Sequence, residues 1–162
     1  MKKILFLLII SALFSFFTKA QSNSAGTVPA SKAIYGEFGG SGLIFSANFD
    51  SRFKGHNGAG FRVGIGGAGG TGGGILTFPF GLNYLLGKEG PHYFEFGATA
   101  TLVTAAFNVG DNKGSAWFFI PHLGYRFSKA SKSFNGRIYV APLITSAFVF
   151  FPFGGLSVGY TL

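Results

Sequence analysis

The stretch GLIFSANFDSRF, Gly42 to Phe53, decides how the rest of the chain is read. Leu43, Phe45, Ala47, Phe49 and Phe53 are apolar, with Ser51 interrupting the row, and Ser46, Asn48, Asp50 and Arg52 between them are polar. Strict alternation over this length is the signature of a β-strand with one apolar face and one polar face. In a water-soluble protein the apolar face would be the core. Which face points inward here has to be read from the remaining segments.

The ends and the composition narrow the choice. Lys2 and Lys3 precede an apolar run from Ile4 to Phe17, and Thr18-Lys19-Ala20 follows with residues suited to a signal peptidase. Residues 1–20 therefore read as a secretory signal peptide with cleavage expected near Ala20, since a run of this length is short for a membrane-spanning helix. Removing it takes three of the thirteen basic residues, leaving ten against five acids. Residues 21–32 are rich in Ser, Ala and Pro and read as a flexible leader, and residues 33–162 as the folded domain. There is no cysteine, so no disulfide framework and no lipidated cysteine. With 22 Phe, 27 Gly and only 11% charged residues, an exported soluble domain would expose too much aromatic surface. A β-barrel whose outer wall sits in lipid would not.

Alternating segments recur about eight times: Ala33–Gly39, Gly42–Phe53, Gly58–Gly66, Ile75–Leu86, Tyr93–Ala105, Ser115–Phe127, Gly136–Thr145 and Phe148–Leu162. Each is near the ~9–11 residues of a tilted spanning strand, and an even count suits an antiparallel up-and-down barrel with both termini on the periplasmic side. Parity sorts their residues. With Phe45 and Phe49 outward, so are Phe80, Leu82, Phe94, Phe96, Leu123, Val158 and Tyr160, which are expected to face lipid. The other face collects Glu37, Asp50, Arg52, Arg62, Glu95, His122, Arg126 and Arg137. All four Arg of the chain share it. An Arg facing lipid at mid-membrane costs ~2–4 kcal/mol, so the polar face is expected to be the lumen. Gly64, Gly66, Gly81, Gly97, Gly124, Gly155 and Gly159 also fall inward, leaving room for long side chains in a narrow barrel. Gly36 and Gly154 do not fit.

Lys32, Lys54, Lys88, Lys129 and Lys132 fall in the leader or in alternate connections, which places them at the periplasmic end, and only Lys113 falls in a presumed external loop. Outward Tyr84, Tyr125 and Tyr160 sit near the same end, as an interfacial girdle would. External loops are expected near Gly39–Gly42, Gly66–Gly74, Asn108–Ser115 and Thr145–Ala147, the Gly66–Gly74 run reading equally as a frayed extension of two strands. Pro79, Pro121 and Pro142 fall inside strands, where a missing N–H donor predicts bulges or shortened ladders.

The stretches AIYGEFGGSGLIFSANFDSRF, FPFGLNYLLGKEGPHYFEFGA, FIPHLGYRF and GGLSVGYTL together resemble a family of small, uncharacterised outer-membrane β-barrel proteins of Gram-negative bacteria. GLNYLLG at Gly81–Gly87 and GYRF at Gly124–Phe127 are the most specific parts of the match. The resemblance implies an outer-membrane barrel inserted by the general barrel-assembly machinery, and no known reaction. The chain departs from such barrels in ending on Leu162 instead of an aromatic, with Tyr160 two residues earlier.

Several chemistries are weighed and set aside. Gly64 to Gly69 matches G-x-G-x-x-G, but more glycines and another strand follow it, where a dinucleotide site needs a helix. Three scattered His and no Cys make no metal site, and no cofactor is expected. The basic residues form no aromatic-rich patch for nucleic acid. An enzyme reading, a lipid hydrolase or acyltransferase, would use His122 as base and Glu95 to orient it, but strands five and six are expected to hold the two apart and no serine is well placed. The inward charges could line a narrow anion-attracting pore. In so small an interior they are better read as a plug of ion pairs, with His122 neutral. A soluble lipocalin-like binder would invert the faces and leave only a handful of charges for solubility. The expectation is a monomeric outer-membrane barrel in lipid, with a filled lumen and a structural or interaction role.

Overall fold

Period-two alternation is realised as strand throughout the described chain. The computed structural model describes residues 30–71, 73–88, 90–107, 114–129, 133–144, 149–150 and 153–162. The expected signal peptide and most of the leader lie outside these residues. The strands are β1 (Lys32–Gly39), β2 (Phe45–Arg52), β3 (Gly58–Gly70), β4 (Gly73–Leu86), β5 (His92–Phe107), β6 (Ser115–Ser128), β7 (Ser133–Val140), β8 (Leu143–Ile144), β9 (Val149–Phe150) and β10 (Gly154–Thr161). They form one antiparallel sheet in the order β5-β4-β3-β2-β1-β10-β7-β6-β8-β9, and β5 pairs with β6 to close it. The short β8 continues β7, and the short β9 leads into β10, so the wall has eight staves. Full closure leaves no long edge strand to be managed.

The two faces are inverted relative to a soluble protein. Among the described residues, nineteen buried side chains are polar or charged and seven are apolar. Outside, Phe45, Phe80, Leu82, Phe94, Phe96, Leu123, Val158 and Tyr160 are exposed, as their parity requires. Phe49 points the same way but is half-buried, its ring 6.2 Å from that of Phe61. The inward glycines make room for specific neighbours. A Cβ at Gly97 would stand 2.8 Å from His122 Cε1, and one at Gly155 would stand 2.5 Å from Tyr139 Cζ. Gly36, which broke the parity rule, faces outward into open space.

Two expectations need correction, and the open reading of Gly66–Gly74 is decided. The second strand begins at Phe45, not Gly42, because Gly40–Gly42 form a 3-10 turn that folds into the barrel. Gly39–Gly42 is therefore not an external loop. Gly39 and Gly40 adopt φ +71° and +63°, a left-handed backbone open to glycine, and Leu43 shares it at +70°. Of the two readings of Gly66–Gly74, the strand extension holds: Gly69 pairs with Gly74 and Gly70 with Gly73, so β3 and β4 run on through it. Of the other two expected loops, Asn108–Ser115 lies outside the described residues up to residue 113 and gives way to β6 at Ser115, and Thr145–Ala147 lies wholly outside them.

The prolines make gaps, not bulges. On either side of Pro79 the β3–β4 register is the same, Val63 with Phe80 and Gly66 with Thr77, and the rungs between them are missing. The β6–β7 register of Leu123 with Val140 reappears as Phe119 with Ile144. That register puts Pro121 opposite Pro142, so two residues without an N–H share one rung. The one irregularity of register in the β4–β5 ladder lies at Gly74/Ile75 instead.

Closure depends on β10 lying flush against β1, where Gly159 pairs with Tyr35. A side chain at Gly159 would drive into the Ile34 carbonyl and the Tyr35 side chain. Gly159→Val is expected to abolish the compact, heat-modifiable form on detergent gels, while Gly36→Ala changes stability by less than about 0.5 kcal/mol. Normal folding of Gly159→Val would mean that the seam is looser than described.

Candidate functional site

The inward rows of seven staves converge on one polar network. It begins at Arg62 on β3, whose Nη2 donates to both Glu37 oxygens at 3.0 and 3.1 Å and to Asn48 Oδ1 at 2.8 Å. Glu37 on β1 is shared with Arg137 of β7, which also donates to Glu95 Oε1 at 3.0 Å. Glu95 on β5 takes a two-pronged bond from Arg126 of β6, at 2.8 and 2.9 Å. Arg126 in turn holds both oxygens of Asp50 on β2 at 3.1 Å, and Asp50 is held again by Arg52 Nη2 at 2.6 Å. The order is Arg62, Glu37, Arg137, Glu95, Arg126, Asp50, Arg52. Seven charges alternate along the lumen, and each carboxylate bridges two guanidiniums.

Neutral groups meet several of the remaining valences, though Nε of Arg52, Arg62 and Arg137 has no partner among the described residues. Asn83 donates to Asp50 at 2.7 Å and to Glu95 at 3.1 Å, and accepts from Arg52. Arg52 Nη1 donates to the Gly58 carbonyl at 3.0 Å. The guanidinium of Arg137 lies 4.6 Å from the Tyr35 ring centre and 4.8 Å from that of Tyr139, and Arg62 lies 5.6 Å from Tyr35. These faces supply negative quadrupole where carboxylates are absent. All eight residues singled out from sequence as lumen residues are buried and in or beside this network.

Strand register explains why Glu95 is central. Arg126 and Arg137 stand directly opposite each other on the β6–β7 ladder, and like charges in that position repel. Glu95, one strand further round, reaches both and cancels the repulsion.

The tucked Gly40–Gly42 turn closes the lumen beyond Arg62. Ser41 is fully buried: its N–H donates to Tyr139 Oη at 3.1 Å, its Oγ donates to Thr99 at 3.2 Å, and its Oγ accepts from Arg62 Nη1 at 3.2 Å. Thr101 donates to the Ser41 carbonyl at 2.7 Å, and Thr77 to the Gly42 carbonyl at 3.0 Å. Ile120, Tyr139 and Ala141 form a small apolar core with Leu43, Phe118 and Phe153 packed against it. Sequence reasoning missed Ser41 in this role. The Gly-Gly-Ser-Gly run that marked a loop was also the only signal that the backbone there could fold back.

His122 and Glu95 are not held apart, contrary to expectation. They lie on neighbouring strands with inward parity, and His122 Nε2 is 3.5 Å from Glu95 Oε1. No hydrogen bond forms there, and neither ring nitrogen of His122 has a hydrogen-bond partner among the described residues. The buried hydroxyls of Ser41 and Thr99 bond each other. A base without a hydroxyl to activate does not make a nucleophile–base pair. No group of three or more His, Cys, Asp and Glu suited to a metal occurs among the described residues.

The exposed end of the barrel carries the expected markers. Lys32, Lys54, Lys88 and Lys129 are all exposed where the periplasmic end was expected, while Lys113 and Lys132 lie outside the described residues. Tyr84, Tyr125 and Tyr160 are exposed nearby, and His92 Nδ1 is hydrogen-bonded to Tyr125 Oη.

Among solved structures the chain is similar in fold to the N-terminal β-barrel domain of Pseudomonas aeruginosa OprF. The TM-score is 0.56 at 10% sequence identity, over 85% of this chain and 100% of that one. Neisserial surface protein A (NspA) also matches, with TM-score 0.48 and 12% identity over 82% of this chain and 92% of that one. No family model and no curated protein matches the chain. At this identity the first likeness is one of fold: a closed eight-stranded barrel.

Removing one partner from a buried ion pair costs about 3–5 kcal/mol. Glu95→Gln leaves Arg126 and Arg137 facing each other, so a loss of at least about 3 kcal/mol is expected from urea unfolding in micelles. Tyr139→Phe removes one acceptor from the tucked turn and should cost about 1–2 kcal/mol. A Glu95→Gln loss below that of Tyr139→Phe would show that water, not Glu95, screens the two arginines.

Proposed function

We propose that the chain is a small integral outer-membrane β-barrel protein of a Gram-negative bacterium, with a lumen plugged by side chains and a structural or interaction role. The observation that carries this is the outer wall. Twenty-six large apolar side chains are exposed among the described residues, and they encircle a polar interior. Soluble monomers rarely expose contiguous apolar patches beyond a few hundred Å². A lipid bilayer turns the same surface into a favourable one, and a closed barrel is one of two ways to cross it with every backbone group satisfied.

The N-terminal 20 residues act in this reading as the export signal, and the barrel-assembly machinery inserts the mature monomer. Exposed lysines and tyrosines at the strand-terminus end mark the periplasmic interface. The lumen does not conduct, because the alternating charge chain and the tucked turn occupy its cross-section. No enzymatic turnover is assigned, since His122 addresses no hydroxyl.

Cell fractionation of a tagged chain tests the location. The mature protein should enter the outer-membrane fraction, migrate heat-modifiably and be silent in planar bilayers. Phe45→Arg, which puts a charge in the wall, should fail to assemble. Recovery of the mature chain as a soluble periplasmic monomer would falsify the reading.

A further inference from the structure

The outer wall is uneven at one place. On its outward face Gly36 of β1 stands beside Val158 of β10 on one side and Ala47 of β2 on the other, with Ile65 of β3 next in the row. The neighbouring rows carry large side chains. Tyr160, Ile34, Phe49 and Val63 lie toward the start of β1, and Leu156, Phe38 and Phe45 lie away from it. Two small residues side by side among large ones leave an open hollow of about 680 Å³, within the ~300–1,000 Å³ of small-molecule sites. A Cβ at Gly36 would meet nothing within 4 Å, and in the row beyond it the Phe38 and Phe45 rings form a tilted pair 5.0 Å apart.

Charge stands over this hollow. Lys32 opens β1 with the outward parity of Ile34 and Gly36, and it is exposed. Gly36 lies four residues further on, which at ~3.3 Å per residue is about 13 Å along the strand. With barrel strands tilted ~35–45° that is about 10 Å of depth, inside one leaflet of a hydrocarbon core ~30 Å thick. Lys54, also exposed, stands at the same rim, where the Ser31 N–H donates to the Gly55 carbonyl at 2.8 Å. Among the described residues no lysine makes an ion pair, and the acids Glu37, Asp50 and Glu95 are all buried in the lumen. The other two acids, Glu89 and Asp111, lie outside the described residues. Cations at headgroup level above an apolar hollow are complementary to an amphiphile with a negative head.

We propose that the hollow holds one acyl chain of an anionic phospholipid of the periplasmic leaflet, with its headgroup phosphate at Lys32 and Lys54. The site rests on the outer-membrane reading above and adds to it one retained lipid at a defined place on the wall. A second copy of the chain is a poorer occupant. About a two-fold axis along the membrane normal every residue keeps its depth, so hollow would face hollow and the Phe38–Phe45 row would face itself.

The test inserts the mature chain into vesicles of equimolar phosphatidylglycerol and phosphatidylcholine, extracts it in mild detergent and weighs the intact barrel by native mass spectrometry. The wild type should retain one phosphatidylglycerol. Gly36→Phe and Ala47→Phe fill the hollow and should each lose the lipid while remaining heat-modifiable. Lys32→Gln and Lys54→Gln keep the hollow and should each lower the preference for phosphatidylglycerol about fivefold, the weight of one lysine at an anionic surface. A wild-type barrel that keeps neither lipid, or both equally, overturns the proposal, as does a lipid-free dimer. Retention that persists in a folded Gly36→Phe or Ala47→Phe also overturns it, because the chain then lies elsewhere. Should neither of those variants fold, the lysine variants decide: a lowered preference supports the site and an unchanged one removes it. A wild type that never enters the vesicles overturns the outer-membrane reading itself, so the two failures are distinct.

Discussion

The structure depends on the bridging of two arginines by each of three buried carboxylates. A charge moved out of water loses solvation worth several kcal/mol, and one good partner seldom restores it. Glu37, Asp50 and Glu95 each have two guanidinium partners and at least one neutral donor, the Gly42 N–H for Glu37 and Asn83 for the other two. Because every consecutive pair except Asp50 and Arg52 joins two strands, the chain ties β3, β1, β7, β5, β6 and β2 together across the lumen. It does the work that an apolar core does in a soluble protein. The seven buried apolar residues among those described are too few to replace it.

That arrangement constrains the glycines and the first turn. Side chains as long as Arg and Tyr fit a barrel of eight staves only if some inward positions have none. Tyr139 shows the dependence. Its ring occupies space that side chains at Gly40 and Gly155 would take, and its hydroxyl accepts the Ser41 N–H. The tucked turn is held almost wholly by partners far along the chain: Thr99, Thr101 and Tyr139 lie 58, 60 and 98 residues from Ser41. A left-handed backbone at Leu43, unfavourable for a residue with a Cβ, persists because those bonds hold the turn from several sides.

This separates what was legible in the sequence from what was not. Face assignment was legible because side-chain direction in a strand has period two and needs no knowledge of partners. Arg62, Glu95, Arg126 and Arg137 were therefore placed inward from position alone. The path of Gly39–Gly42 was not legible, since a glycine-rich run is compatible with a loop in solvent and with one packed inside. Only Tyr139, Thr99 and Thr101 decide between them, and no local pattern links those residues to Ser41. The contact of His122 with Glu95 was missed for a related reason. Parity says that both point inward, but their separation depends on register and on how far each side chain reaches across the lumen. The prolines were flagged correctly as ladder faults. Their form as gaps follows from the unbroken register on either side, and the opposition of Pro121 to Pro142 concentrates two missing donors at one rung.

Alternation itself carries a consequence for the lumen as a whole. A chain in which every carboxylate bridges two guanidiniums must end on guanidiniums, so complete pairing of the acids and electrical neutrality exclude each other within this set. The excess cannot sit in the middle, where Arg126 and Arg137 each touch two carboxylates. It is pushed to the ends, and only the Arg52 end lies near the barrel mouth, beside Lys32 and His56. The same rule that makes the interior cohesive thus fixes where it is electrostatically incomplete.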